Sequence, residues 1–128
     1  MKLLLDTHIF LWFIIGSPNL STPARELIED VANEKFVSAA SLWEIAIKSS
    51  LGKLSLSAPF AELIPQQLSL NGFELLHIEI DHAAIVATLP FHHRDPFDRL
   101  LIAQSMVEKM PIVSVDAMFD AYPIARLS

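Results

Sequence analysis

Two short apolar runs stop on an aspartate: Leu3-Leu4-Leu5-Asp6 near the start and Val113-Ser114-Val115-Asp116 near the end. Two further acids stand where helices should open: Glu44, three residues after Ser41, and Asp98, three after Asp95. Oxygen ligands of this kind suit Mg²⁺ or Mn²⁺. The chain has no cysteine and no histidine cluster at ligand spacing, so no softer ion competes for it. Two carboxylates about 6 Å apart repel by roughly 3 kcal/mol at an effective dielectric near 20. A domain's whole stability is only about 5–15 kcal/mol. A cluster of such acids must therefore raise a pKa or bind a cation.

Each acid also has an ordinary structural reading. Ser41-Leu42-Trp43-Glu44 fits a capping box, in which Glu44 merely satisfies a helix-end amide. Asp95-Pro96-Phe97-Asp98 fits an N-cap, a first-turn proline and a dipole-favoured acid. Asp95 is assigned chiefly to capping. Asp6 and Asp116 at strand ends can start turns or cap the next helix. No acid is persuasive alone; the weight lies in all four falling at one expected edge.

That edge follows from the alternation of elements. Strands are expected at Lys2 to Leu5, Phe36 to Ala39, Phe73 to Ile78 and Ile112 to Val115. Helices are expected from His8 to Ile15, after a Ser21 or Thr22 cap with Pro23 in the first turn, and from Ser41 to about Leu51. Three more follow at Pro59 to Leu70, with a break near Pro65, at Asp81 to Thr88 and at Phe97 to Glu108. Leu27, Ile28 and Val31 form the second helix's apolar stripe, and Leu42, Ile45 and Ala46 that of the third, which stops at Gly52. Alternating strands and helices predict an α/β fold, a central parallel sheet with helices on both faces. Such sheets bind ligands outside the carboxyl ends of their strands, where Asp6 and Asp116 would project and the following helices begin.

Composition bounds the rest. The chain has 128 residues, 52% hydrophobic and 19% charged, enough for one domain over residues 1–128 and too apolar for a disordered tail. The apolar run Ile9 to Ile15 is far short of the roughly 20 residues a membrane span needs. No basic start or small-residue cleavage site suggests a signal peptide, so a cytoplasmic protein without a membrane partner is expected. A net charge of −6 argues against broad adhesion to nucleic acid. It leaves room for a nucleic-acid enzyme whose carboxylates are neutralised by metal.

Taken together the motifs resemble the PIN-domain ribonucleases of the VapC toxin type. The resemblance is carried by Leu4-Leu5-Asp6-Thr7-His8, Ser38-Ala39-Ala40-Ser41-Leu42-Trp43-Glu44-Ile45, Lys48 with Gly52-Lys53-Leu54, Arg94 through Gln104, and Ser114-Val115-Asp116 with Phe119 and Tyr122. It spans residues 3 to about 122, and the Arg94-Asp95-Pro96-Phe97-Asp98-Arg99 segment is its most specific part. It implies a PIN-like domain and a Mg²⁺-dependent endoribonuclease with its acids at Asp6, Glu44, Asp98 and Asp116. It also implies a toxin of a toxin–antitoxin pair, held inactive by an antitoxin protein and acting as a homodimer on RNA. Many relatives have a small residue where this chain has Phe97. Asp6 and Asp98 are then the best direct ligands. Glu44 either ligates or takes the proton of the attacking water, and Asp116 either ligates as well or acts through a water from outside the ligand set. In-line attack leaves a 5′-phosphate and a 3′-hydroxyl.

Lys48, Lys53, Arg94 and Arg99 lie near the acids in sequence and can hold flanking phosphates, with solvated helix surface as the alternative, favoured for Lys48. Thr7 either orients Asp6 or caps the first helix. His8, His92 and His93 invite a general-base or metal reading, which the resemblance does not require; His8 is expected to pack near that helix and His92-His93 to form a polar loop. Phe10, Trp12 and Phe13 are expected in the core or a dimer interface, and Trp43 in the core. Two other readings compete with the nuclease: a catalytically silent PIN-like protein-binding module, and a phosphoacceptor receiver domain. The receiver reading lacks a middle strand ending on a lone acceptor aspartate.

Overall fold

The computed structural model describes residues 1–128. Strands β1 (Lys2–Leu5), β2 (Glu34–Ser38), β3 (Phe73–Leu76), β4 (Ile112–Val113) and β5 (Arg126–Leu127) form one sheet in the order β3-β2-β1-β4-β5, with every pair parallel. The helices are α1 (Thr7–Ile15), α2 (Thr22–Glu29), α3 (Ala39–Ser50), α4 (Phe60–Leu70), α5 (Ile80–Thr88) and α6 (Pro96–Glu108), with a 3₁₀ turn at Ala117–Ala121. None is long and apolar enough to cross a membrane.

β1 is central, paired with β2 through Leu5 and Val37 and with β4 through Leu5 and Val113. A strand covered on both faces needs apolar residues throughout, which is why Leu3, Leu4 and Leu5 run without alternation and are fully buried. Their side chains still alternate between faces. Leu3 and Leu5 join one cluster with Ile9, Phe10, Ile28, Ile45 and Ile64, so α1, α2, α3 and α4 supply that side. Leu4 joins Leu89, Leu101, Ile102, Phe119 and Tyr122 on the other, built by α6 and the chain's last segment, with Ile85 of α5 packed against it.

Several expected boundaries move. Ser38, not Ser41, is the N-cap of α3, its hydroxyl accepting from Ala40 N at 3.0 Å. Ser41 is thereby inside the first turn, so the Ser41–Glu44 capping box does not form. Val31 lies beyond the end of α2 and is 95% exposed, outside any apolar stripe. α4 continues through Pro65 without a break. β3 and β4 are shorter than expected, and β5 and the 3₁₀ turn carry no sequence periodicity that would mark them.

The order of strands decides where a ligand can sit. From β1 the chain moves outward to β2 and β3, then returns to the other side of β1 for β4 and β5. The loops after β1 and β4 therefore diverge, opening a crevice at the carboxyl ends of these two strands. Asp6 and Asp116 occupy those loops.

Candidate active site

Asp6 is placed by the ladder itself. Its amide donates to Val113 O at 3.0 Å, one step beyond the last paired residues of β1 and β4, which brings it level with Ser114. Ser114 Oγ donates to Asp6 Oδ2 at 2.7 Å and accepts from Asp116 N at 3.0 Å, so one fully buried hydroxyl ties the two loops. The other oxygen, Oδ1, accepts from Thr7 N at 2.7 Å and caps α1.

Glu44 arrives from α3, whose first turn packs against the start of α1. Thr7 Oγ1 donates to Glu44 Oε1 at 3.0 Å and is hydrogen-bonded with the Ser41 hydroxyl at 2.8 Å. Lys48, one turn further along α3, donates Nζ to Glu44 Oε2 at 2.7 Å. That hydrogen bond holds the Lys48 ammonium above its ordinary range. Neither expected role of the Thr7 hydroxyl holds: Asp6 caps α1, only the Thr7 backbone amide meets Asp6, and the hydroxyl engages Ser41 and Glu44 instead.

Asp98 arrives from the first turn of α6, capped by Asp95 Oδ1, which accepts from Phe97 N and Asp98 N at 2.9 and 3.0 Å. The capping assigned to Asp95 is what the structure has. Burial, and then the Asp6 and Asp95 carboxylates, push the Asp98 carboxyl up to about 7. Burial also raises Asp6, with Glu44 adding to it, against the hydrogen bonds from Ser114 and Thr7. Asp116 completes the rim: its Oδ1 accepts from Met118 N at 2.9 Å.

One residue at the centre is a histidine for which the sequence favours the polar-loop reading. His93, expected in a polar loop, is buried, with Nε2 hydrogen-bonded to Asp116 Oδ2 at 3.0 Å and 3.0 Å from Asp98 Oδ2. Its local neighbours carry no signal of this, because both acids are reached only through the fold.

The structure thus brings Asp6, Glu44, Asp98 and Asp116 to one edge, linked through Thr7, Ser114 and His93. The donor set fits a hard divalent cation: it is rich in carboxylate oxygen, and two of its acids are raised by burial, with neighbouring carboxylates adding to it. Ligand atoms of His93, Asp98 and Asp116 lie within 4.8 Å of one another.

The candidate phosphate contacts divide. Lys48 and Lys53 line a cleft of about 320 Å³ beside Thr7, with Trp12 and the exposed His8 on its wall. Arg94 is exposed just before α6. Arg99 is a correction: it is 5% exposed and turned inward, its guanidinium donating to the carbonyls of Val86, Leu89, Pro90 and His93 and stacking on Phe91. A buried arginine with its donors spent on backbone oxygens holds a loop, not a phosphate. Trp43 is a second correction, 63% exposed and in edge contact with Phe97 rather than in the core. Phe10 is fully buried, and Trp12 and Phe13 pack against the same core.

Known proteins can be set against this geometry. Ribonuclease VapC16 of Mycobacterium tuberculosis (strain ATCC 25618 / H37Rv) is 40% identical over 60 residues, which is 47% of this chain and 43% of that protein. The chain thus matches less than half the length of that relative. The DNA-bound VapBC of Salmonella typhimurium superposes with a TM-score of 0.74 at 17% identity, covering 99% of this chain and 97% of that one. VapBC2 of Rickettsia felis, bound to a DNA fragment from their promoter, gives 0.69 at 17% identity, covering 99% and 98%. At these identities the two structures speak for the fold. The PIN domain family model matches residues 3–125, from the first buried leucine of β1 to the residue before β5. With that match taking in the sheet's central strands and all four rim acids, the chain belongs to the PIN-domain family.

Proposed function

We propose that this protein is a Mg²⁺-dependent endoribonuclease, Mn²⁺ serving in its place, and the toxin of a toxin–antitoxin pair. The observation that carries the reading is the meeting of Asp6, Glu44, Asp98 and Asp116 at the divergence of β1 and β4, with Asp98 raised to about 7. The partial identity to a ribonuclease and the fold shared with VapBC chains support the same reading.

In this reading Asp6 and Asp98 hold the cation directly. When bound, such an ion lowers the pKa of a water and polarises the scissile phosphodiester. Glu44, fixed between Thr7 and Lys48, faces the same edge and takes the proton of the attacking water on a carboxylate oxygen. Asp116, with Oδ1 on Met118 N and Oδ2 on His93, works through a water. Lys53 and Lys48 steer the RNA backbone along the cleft beside Thr7, and Arg94, exposed just before α6, supplies a further phosphate contact. Attack in line with the leaving oxygen yields a 5′-phosphate and a 3′-hydroxyl. The protein works in the cytoplasm as a homodimer, and an antitoxin protein silences it.

The test is cleavage of RNA by purified, antitoxin-free protein in Mg²⁺ or Mn²⁺, with EDTA and Asp6→Asn as controls. Cleavage abolished by both controls is expected. No cleavage in either metal would leave a catalytically silent PIN-like binding module.

A further inference from the structure

We propose that His93 is a positioning residue: it presents a fixed Nε2–H donor to Asp116, beside Asp98, rather than ligating the metal itself. The inference rests on the metal-centre reading above and assigns a role to a side chain that this reading does not require.

The ring's proton is located by its other nitrogen. Asp95 N donates to His93 Nδ1 at 3.3 Å, so Nδ1 is an acceptor and carries no hydrogen. The ring proton is therefore on Nε2, the atom 3.0 Å from both Asp98 Oδ2 and Asp116 Oδ2. A nitrogen bearing a proton has no lone pair to give a cation. Ligation would require the proton to move to Nδ1, against the Asp95 amide. That amide belongs to the N-cap of α6, whose side chain caps Asp98, so the shift would disturb the same turn that presents the ligand.

The rest of the loop is built to keep the ring there. His93 N donates to Tyr122 Oη at 2.8 Å, and Tyr122 Oη donates to Pro90 O at 2.6 Å. His93 O accepts from Arg99 Nη1 at 3.2 Å, and the ring rests on Phe119 with centroids 5.7 Å apart. The inward turn of Arg99 and the buried hydroxyl of Tyr122 thus serve one purpose, the aim of a single N–H. With Oδ1 already on Met118 N, this donor leaves Asp116 with protein partners on both oxygens. Outer groups that orient ligands in this way typically change metal affinity or activity by about 10–100-fold when removed.

The direct test is long-range ¹H–¹⁵N spectroscopy of the histidine rings at neutral pH, without RNA, before and after saturation with Mg²⁺, the His93 signals being assigned by their loss in His93→Gln. The expected result is an Nε2–H ring in both states. A proton on Nδ1, a doubly protonated ring, or an Nε2 stripped of its proton by Mg²⁺ overturns the proposal. Calorimetric Mg²⁺ titration of two variants supplies the second readout. His93→Gln, which carries an amide N–H to about the same place, should stay within about threefold of the parent, and His93→Leu should lose about tenfold or more. Equal affinities for all three proteins, or equal losses in the two variants, would sink the donor role. The ring spectra and the titrations use no RNA, so absence of ribonuclease activity would count against the function proposed above and leave the His93 result standing.

Discussion

Ser114 and Asp6, 108 residues apart in sequence, meet in a 2.7 Å hydrogen bond at the point where β1 and β4 part. The same hydroxyl accepts from Asp116 N, so a single buried oxygen fixes the spacing of two of the four rim acids. Ser114→Ala should leave one oxygen of the buried Asp6 carboxylate without its donor, a loss of about 1–3 kcal/mol. It should also lower RNA cleavage at least about tenfold. Urea unfolding and a cleavage assay on the same preparation check both; parental values in both would detach Ser114 from the site.

The raised Asp98 carboxyl makes a prediction about pH with a definite sign. Its folded-state value of about 7 lies above its ordinary 3.8. The folded protein therefore favours the protonated acid, and this group's contribution to stability, complete below the ordinary value, is lost as pH rises toward 7. Metal-free protein should lose thermal stability over that window, and Mg²⁺ should restore it at pH 7.5. Asp98→Asn should weaken the pH slope, raise the metal-free midpoint and abolish the Mg²⁺ response. A midpoint for Asp98→Asn below the parent's at pH 7.5 without metal would contradict the electrostatic reading.

Arg99 should behave as a structural residue. Arg99→Ala leaves four carbonyls without their guanidinium donor, and the loss of charged hydrogen bonds at about 1.5–3 kcal/mol each puts the cost at roughly 3 kcal/mol or more. Arg99→Lys should recover little, because an ammonium cannot span the fork. Chemical denaturation measures this. Full stability with weakened RNA binding would return Arg99 to the phosphate role that its place in the sequence suggested.

Trp43 offers the opposite contrast. Being exposed, with one edge contact to Phe97, it should cost no more than about 1.5 kcal/mol on replacement by alanine. A core tryptophan would cost about 3–5 kcal/mol. The same unfolding measurement separates the two.

How much of this was legible beforehand follows the reach of each interaction. The central strand and its closing acid could be read from Leu3-Leu4-Leu5-Asp6, because burial on both faces demands an unbroken apolar run. The helix carrying Asp98 was marked locally by Asp95 and Pro96. The cap of α3 was misplaced at Ser41, because Ser38, three residues earlier, carries the same hydroxyl and is the one that caps. The contact between Ser41 and Thr7, 34 residues away, shows where that hydroxyl is used instead. Type and neighbourhood misled at Arg99 and Trp43, where side-chain direction relative to the sheet decides burial and no motif encodes it. His93 was hidden for the same reason: Asp98 and Asp116 lie five and 23 residues away and converge on it only once β4 lies beside β1. The family resemblance rested on the ordered set of motifs, and that set is what the PIN domain match spans.

The acids' convergence is tested most directly by titrating the metal-free protein with Mn²⁺ and following free ion by electron paramagnetic resonance. Saturable binding that Mg²⁺ displaces is predicted, with Asp6→Asn and Asp98→Asn each losing at least about tenfold in affinity while remaining folded. Parental affinity in both variants, or no saturable binding by the parent, would contradict a metal centre at this edge of the sheet.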